Sequence, residues 1–370
     1  MTRIGPLLLA AALLGCRASE PPLEPVRIAS DARSFVLAET GRPFVPWGLN
    51  YDRDATGRLL EEIWDDDWST LEADFREMRQ LGANVVRIHL QLGRFLESAS
   101  EPNRAALEKL ARVLALAERT RVHLIVTGLG SYRREAIPAW YAALGEAERW
   151  AVQARFWEAV AETGADSPAI FAYDLMNQPL APARPRTDGD WLGPNPGGDL
   201  HRSQWIALDA AGRWPHEIAR AWIRRLRQAI DRHDPDRLVT VGLVSWSLPR
   251  GRARSGFEPR KIASELDFLS VGFHPDKRLP RGSLRRLRGF AVGKPLVVVE
   301  TSTVRCTIEE LEEFVTRSRE FTAGHLGFYR GRMPDELDET KPAHVATRQW
   351  LDYFRREAFR LKDEDASAPR

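Results

Sequence analysis

The feature that most constrains this chain is an alternation repeated from end to end. Short apolar, strand-like runs at residues 44–50, 83–90, 122–127, 169–176, 238–243, 266–273, 295–300 and 325–329 alternate with stretches whose apolar residues recur at helical spacing. Leu71, Phe75 and Met78 form the stripe of one helix, expected to begin at Ser69 with Glu72 completing a capping box. Leu107, Leu110 and Leu114 mark another after Pro102, and further helices are expected over 149–162 and 343–356. Strands separated by helices must pair in parallel, because a parallel pair needs a crossover. Eight such units predict an α/β fold, a single closed (β/α)8 TIM barrel, and 370 residues suit a barrel that routinely passes 250 residues as one domain.

The ends read differently. Met1-Thr2-Arg3 is a basic start, residues 6–14 are apolar, and Gly15-Cys16 follows; so short a run is a secretory signal, not a membrane span. Leu13-Leu14-Gly15-Cys16 resembles the lipobox of bacterial lipoproteins, which implies lipidation of Cys16 and export to a membrane, on the periplasmic side or at the outer membrane. Ordinary signal cleavage that discards Cys16 is the alternative. The expected division is 1–16 signal, 17–30 Pro-rich linker, 31–360 barrel and 361–370 polar tail. The lipid anchor is the only membrane contact expected, and the chain is expected as a monomer. Cys306 has no partner once Cys16 is acylated, so it is expected as a buried free thiol.

Charge excludes one class of partner. With 54 Lys+Arg against 52 Asp+Glu, the net +2 gives no long-range field for a polyanion, so nucleic acid is not expected. The interleaved charges Glu72, Asp74, Arg76, Glu77 and Arg79 read as a solvated helix face. No His, Cys and Asp cluster has metal-ligand spacing, and neither a phosphate loop nor a Gly-x-Ser-x-Gly elbow is present, so no metal or cofactor is expected. His123 and His233 read as structural or surface groups.

Chemistry concentrates where strands end, since barrel active sites lie on the loops that follow the strands. Strand two ends in Arg87 and His89, strand four in Asn177-Gln178-Pro179, strand six in Phe273-His274 and strand seven in Glu300. A charge placed directly after an apolar strand is costly unless paired or functional, and Glu300, behind four apolar residues, is the sharpest case. An insertion over 180–213 carries Trp191 and Trp205, which either wall a ligand or pack on the rim.

Trp47-Gly48-Leu49-Asn50, Gly82-Ala83-Asn84-Val85-Val86-Arg87, Tyr173-Asp174-Leu175-Met176-Asn177 and Lys294-Pro295 through Glu300 together resemble the retaining glycoside hydrolases built on β/α barrels, most closely the cellulase-like family 5. The resemblance implies a carbohydrate ligand, with Glu300 as nucleophile, Asn177 on the sugar 2-hydroxyl and Arg87 orienting the nucleophile. Asn50, His274, Trp246 and Tyr329 complete the implied substrate-binding set. A carboxylate that attacks an anomeric carbon must be ionised, and a neighbouring guanidinium favours the charged form.

Three positions depart from the family. Gln178, set opposite Glu300, stands where the acid/base Glu belongs; Gly272-Phe273-His274 replaces His-x-Tyr; and Arg330 follows Tyr329 where a Trp platform is usual. Gln cannot protonate a leaving oxygen, a loss of typically about 10² to 10⁴ in rate. Three readings stay open: hydrolysis of substrates whose leaving group needs no proton, as in the plant thioglucosidases of this clan; a catalytically impaired glycan-binding protein; and a scaffold.

Overall fold

A computed structural model describes residues 22–195, 198–248, 254–278 and 280–367; the signal segment and Cys16 lie outside them. Eight parallel strands close a barrel: β1 (Trp47–Tyr51), β2 (Val85–Gln91), β3 (His123–Gly130), β4 (Ile170–Asn177), β5 (Leu238–Val244), β6 (Leu269–Gly272), β7 (Leu296–Glu300) and β8 (Gly324–Phe328). Closure is made by β8 pairing back on β1, from His325 opposite Trp47 to Phe328 opposite Asn50. Each strand leads into a helix: α1 (Trp68–Gln80), α2 (Arg104–Thr120), α3 (Glu146–Gly164), α4 (Pro215–Asp231), α5 (Pro259–Ile262), α6 (Pro280–Arg288), α7 (Ile308–Ser318) and α8 (Pro342–Ser367). The predicted single-domain (β/α)8 barrel is what forms.

The strands are buried on both faces, one toward the barrel axis and one toward the helices. Every residue of β2, β3 and β4 is buried. Caps set the helix starts. Asn103 accepts from the Ala106 N–H at 3.2 Å to start α2, and Thr307 pairs with Glu310 in a capping box at α7.

The box expected at Ser69 is not formed. Asp67 caps α1 instead, accepting from Thr70 N at 3.2 Å and from Ser69 Oγ at 2.7 Å, while Glu72 accepts from Trp68 Nε1. A carboxylate is the stronger cap at the positive end of a helix. The solvated reading of α1 also fails at Asp74, which is buried against Tyr51 and Tyr329. Burial, reinforced by Glu77, pushes its carboxyl up to about 6 against the opposing Tyr51 hydrogen bond.

Two boundaries move. The segment read as linker is folded from Leu23 onward: Val26–Ile28, Phe35–Leu37 and Pro43–Phe44 form a small antiparallel sheet. It plugs the barrel's N-terminal end. Phe35 meets Phe171 edge-on at 5.0 Å and Phe268 at 5.4 Å, and Phe44 meets His123 at 4.9 Å. His123 is accordingly a structural group, bonded through Nε2 to the Glu24 carbonyl at 2.8 Å, and burial lowers it to about 4. Strands of two or three residues are too short to leave a period in the sequence. At the other end α8 continues through the polar tail to Ser367. Among the described residues no helix is long and apolar enough to cross a membrane.

Candidate active site

The C-terminal mouth of the barrel is organised around one guanidinium. Arg87, the third residue of β2, is fully buried and uses all of its N–H groups. Nε and Nη2 donate to Asp174 Oδ2 at 3.1 and 2.6 Å, and Nη2 also to Asn177 Oδ1 at 2.9 Å. Nη1 donates to Glu300 Oε1 at 2.9 Å and to Asn50 Oδ1 at 3.1 Å. Gly242 on β5 leaves room for this, since a Cβ there would stand 2.9 Å from Nη2.

Asp174 supplies the main countercharge. It lies fully buried on β4 and also accepts from Thr127 at 2.9 Å; burial pushes its carboxyl up against the pull of Arg87. Asp174 lies within the Tyr173–Asn177 motif, which by itself assigns it no role. Its place on β4, three residues before the strand-ending Asn177, is the signal in the sequence.

Glu300 closes β7. Arg87 fixes Oε1, whereas Oε2 has no hydrogen-bond partner among the described residues and faces Gly272, where a Cβ would come within 3.3 Å. One oxygen is thus anchored and the other unengaged. Asn177 keeps its amide nitrogen largely free, with one long bond of 3.4 Å to the Arg202 carbonyl. Asn177 and Glu300 therefore sit on different nitrogens of the same guanidinium. Gln178 follows Asn177 directly, in the left-handed region at φ +52°, pinned by its N–H to the Gly242 carbonyl at 2.8 Å. A non-glycine residue held there is strained, a feature that clusters at functional sites. Its side chain is half-buried and has no partner among the described residues.

Other expected site residues are placed differently. Asn50 cannot touch a ligand: its amide donates to the Val299 and Gly327 carbonyls at 2.6 and 2.9 Å, and its oxygen serves Arg87 and His89. It positions the site. Tyr329 points outward, where its hydroxyl donates to Asp74 and Glu77 on α1, because it lies one residue past β8 on the helix-facing side. Trp246 is half-buried in the turn two residues beyond β5. His274 lies near Glu300: Nδ1 pairs with Ser302 Oγ at 3.0 Å and the ring stacks on Phe328 at 6.4 Å. Burial lowers its pKa, partly countered by Glu300, so the ring is neutral. His89 is also neutral, pushed well down by burial and by Arg87; a proton on Nε2 satisfies Asn50 while Nδ1 accepts from Tyr132 at 2.5 Å.

The insertion after β4 does not present bare indoles. Arg149 lies over Trp191 at 4.2 Å and Arg186 over Trp205 at 4.4 Å, so both rings are covered by cations. What the insertion brings to the mouth is Arg202, which sequence reasoning missed. Arg202 donates to Asp52 Oδ2 at 2.6 Å, and Arg330 to Asp52 Oδ1 at 3.0 Å. This bridge ties the loop after β4 to those after β1 and β8. Burial of Asp52 is outweighed by the two arginines, which hold its carboxyl far below the usual range.

Cys306 is half-buried and unpaired, its thiol pushed up to about 11 by burial, so it is no nucleophile at neutral pH.

Comparison with known proteins agrees with this fold. The family model for cellulase, glycosyl hydrolase family 5, matches residues 39–268, a span that contains Arg87, Asn177 and Gln178. No curated protein matches. Among solved structures, exo-β-1,4-mannosidase Op5Man5 from Opitutaceae bacterium strain TAV5 superposes at TM-score 0.68 and 17% identity, over 93% of this chain and 64% of its own. The chain therefore spans less than two thirds of that enzyme. A β-1,4-mannanase from the sea hare Aplysia kurodai gives 0.60 at 14% identity, over 91% and 97%. GH5_18 from Streptomyces cattleya, in complex with GlcNAc, gives 0.60 at 19% identity, over 89% and 83%. At these identities the structures establish the shared barrel. With the family model spanning most of the chain, the protein belongs to glycosyl hydrolase family 5, the cellulase family.

Proposed function

We propose that this protein acts on a carbohydrate through Glu300 as nucleophile, in a site that gives no proton to the leaving group. One observation carries the reading: Arg87 anchors Oε1 of Glu300 and leaves Oε2 unengaged. In the first step Oε2 bonds to the anomeric carbon while the bond to the leaving group breaks, and the departing atom takes the electron pair as an anion. Asn177 Nδ2 meets the sugar 2-hydroxyl, a hydrogen bond that strengthens toward the transition state. In the second step water displaces Glu300 from the anomeric carbon and loses its proton to solvent. Gln178 can hydrogen-bond a leaving group and hold that water, but it can neither protonate the one nor deprotonate the other.

Turnover on aryl glycosides of graded leaving-group acidity tests this. The parent should cleave dinitrophenyl glycosides and fail on alkyl glycosides. Gln178→Glu should raise kcat/KM on poor leaving groups by about 10² to 10⁴ and leave kcat/KM on the best ones almost unchanged, raising their kcat only through the second step, and Glu300→Ala should abolish turnover of both. The named activities of the superposing structures make β-mannosides the first panel.

A second reading, a glycan-binding protein without turnover, is favoured by the unpartnered Gln178 amide beside Asn177. It is upheld if glycans raise the melting temperature while neither the parent nor Gln178→Glu cleaves anything. Loss of both effects leaves the scaffold reading. Residues 13–16 support a lipid-anchored, exported protein, tested by incorporation of a labelled fatty acid that Cys16→Ala removes.

A further inference from the structure

The mouth above Glu300 carries an unusual charge pattern for a pocket that takes neutral sugars. Arg53, two residues beyond β1, Arg330, two residues beyond β8, and Arg202 from the insertion converge on it. Asp52 is the one carboxylate bonded to this group among the described residues, and it is itself 1% exposed. Arg202 and Arg330 each commit a single N–H to Asp52, leaving four donors apiece. Their side chains are 28% and 32% exposed, so the spare donors are open to solvent and are not buried without partners. The Arg53 guanidinium, half-buried, has no acceptor among the described residues.

The three are close enough to repel. After burial, Arg330 and Arg202 are what depress Arg53, against the opposing pull of Asp52 and Asp199. Arg330 is further held over the Phe328 ring at 5.2 Å, and that ring stacks on His274 beside Glu300. Burial holds His274 and His89 below the ordinary imidazole range, Asp174 is taken up by Arg87, and Asp199 is exposed, so among the described residues Asp52 is the one carboxylate within bonding distance of Arg202 and Arg330. Arginines forced together around one carboxylate, with donors to spare, form an incomplete site for a second anion.

We propose that Arg53, Arg202 and Arg330 form a subsite for an anionic substituent on the glycan, a carboxylate or a sulfate, so that the protein selects acidic over neutral sugars. Carboxylate and guanidinium match as planar forks, and a bidentate contact with Arg53 or Arg330 would complete donors that Asp52 leaves open. This inference rests on the proposal that a glycan occupies the Glu300 mouth.

The test uses matched probes on the full chain: mannuronate, glucuronate and galacturonate oligosaccharides, each beside its methyl ester, and sulfated oligosaccharides beside their desulfated forms. Binding is read by titration calorimetry. At least one acidic probe should bind roughly tenfold to a hundredfold more tightly than its neutral counterpart, the worth of a charge-assisted hydrogen bond. Preference within the uronate arm or within the sulfate arm tells which anion the subsite takes. The advantage should shrink in high salt and fall separately in Arg53→Gln and in Arg330→Gln, whose melting temperatures should stay close to the parent's because Arg202 still holds Asp52. Equal binding of acidic and neutral forms, or a preference that survives both substitutions, overturns the subsite and leaves the glycan reading standing. Absence of binding by every probe, charged or neutral, overturns both.

Discussion

Replacing Arg87 with Met tests whether the guanidinium holds the site together. Met fills much of the same volume without a charge, so the change removes five hydrogen bonds and leaves Asp174, fully buried, with Thr127 as its remaining side-chain donor. Breaking a buried ion pair by removing one partner costs about 3–5 kcal/mol, because the stranded carboxylate stays desolvated. At roughly 2 °C per kcal/mol for a large domain, the melting temperature should fall by about 6–10 °C. Asp174→Asn removes the stranded charge, so the double variant should be more stable than the sum of the two single losses predicts. The coupling should be about 1–3 kcal/mol, measured by denaturant unfolding across the four-member cycle. A loss below about 1 kcal/mol in the single variant, or strict additivity in the double, would refute the reasoning.

Glu61, buried with Oε2 unpartnered beside a cavity of about 90 Å³, has its carboxyl pushed up to about 7 by burial. Its folded pKa exceeds the unfolded one, so its contribution is fully present below about 4.5 and is lost as pH rises through about 7. Glu61→Gln should flatten that slope and stabilise the protein above pH 7 by an amount on the order of 3 kcal/mol; an unchanged pH profile of melting temperature counts against it. Phe35→Ala, at the plug of the barrel floor, should cost about 3–5 kcal/mol, and a loss under 1 would mean that the plug is not integral. Asp52→Asn should loosen the bridge between the insertion and the loop after β8, seen as faster amide exchange over 198–206; unchanged exchange would contradict the tie.

The barrel was legible because its strands repeat one pattern eight times, and the positions of Asn177, Gln178 and Glu300 at its mouth were legible because polar groups ended apolar strands, whereas Arg87 stands inside β2. Other features carry no such signature. The bottom sheet is built from strands too short to show alternation, and Asp74 looks like any other helix charge until Tyr51 and Tyr329 close over it. Asn50 and Tyr329 sit at strand ends like ligand-binding groups, but one is consumed by backbone carbonyls and the other faces α1. Arg202 lies deep in a long insertion, and only the fold brings it to Asp52, 150 residues earlier in the chain. Composition likewise hid the charge of the mouth, since a net +2 says nothing of three arginines drawn to one carboxylate.

The central claim is that Glu300 remains a working nucleophile in a site that has lost its acid. Intact-protein mass spectrometry after incubation with dinitrophenyl glycosides fluorinated beside the anomeric carbon tests it most directly, since fluorine slows the second step and the activated group leaves unaided. The account predicts a one-sugar adduct on the parent and on Gln178→Glu, mapped by peptide sequencing to Glu300 and absent in Glu300→Ala. A folded parent that gains no adduct from mannosyl, glucosyl or uronyl reagents, or one that is labelled elsewhere, would contradict it.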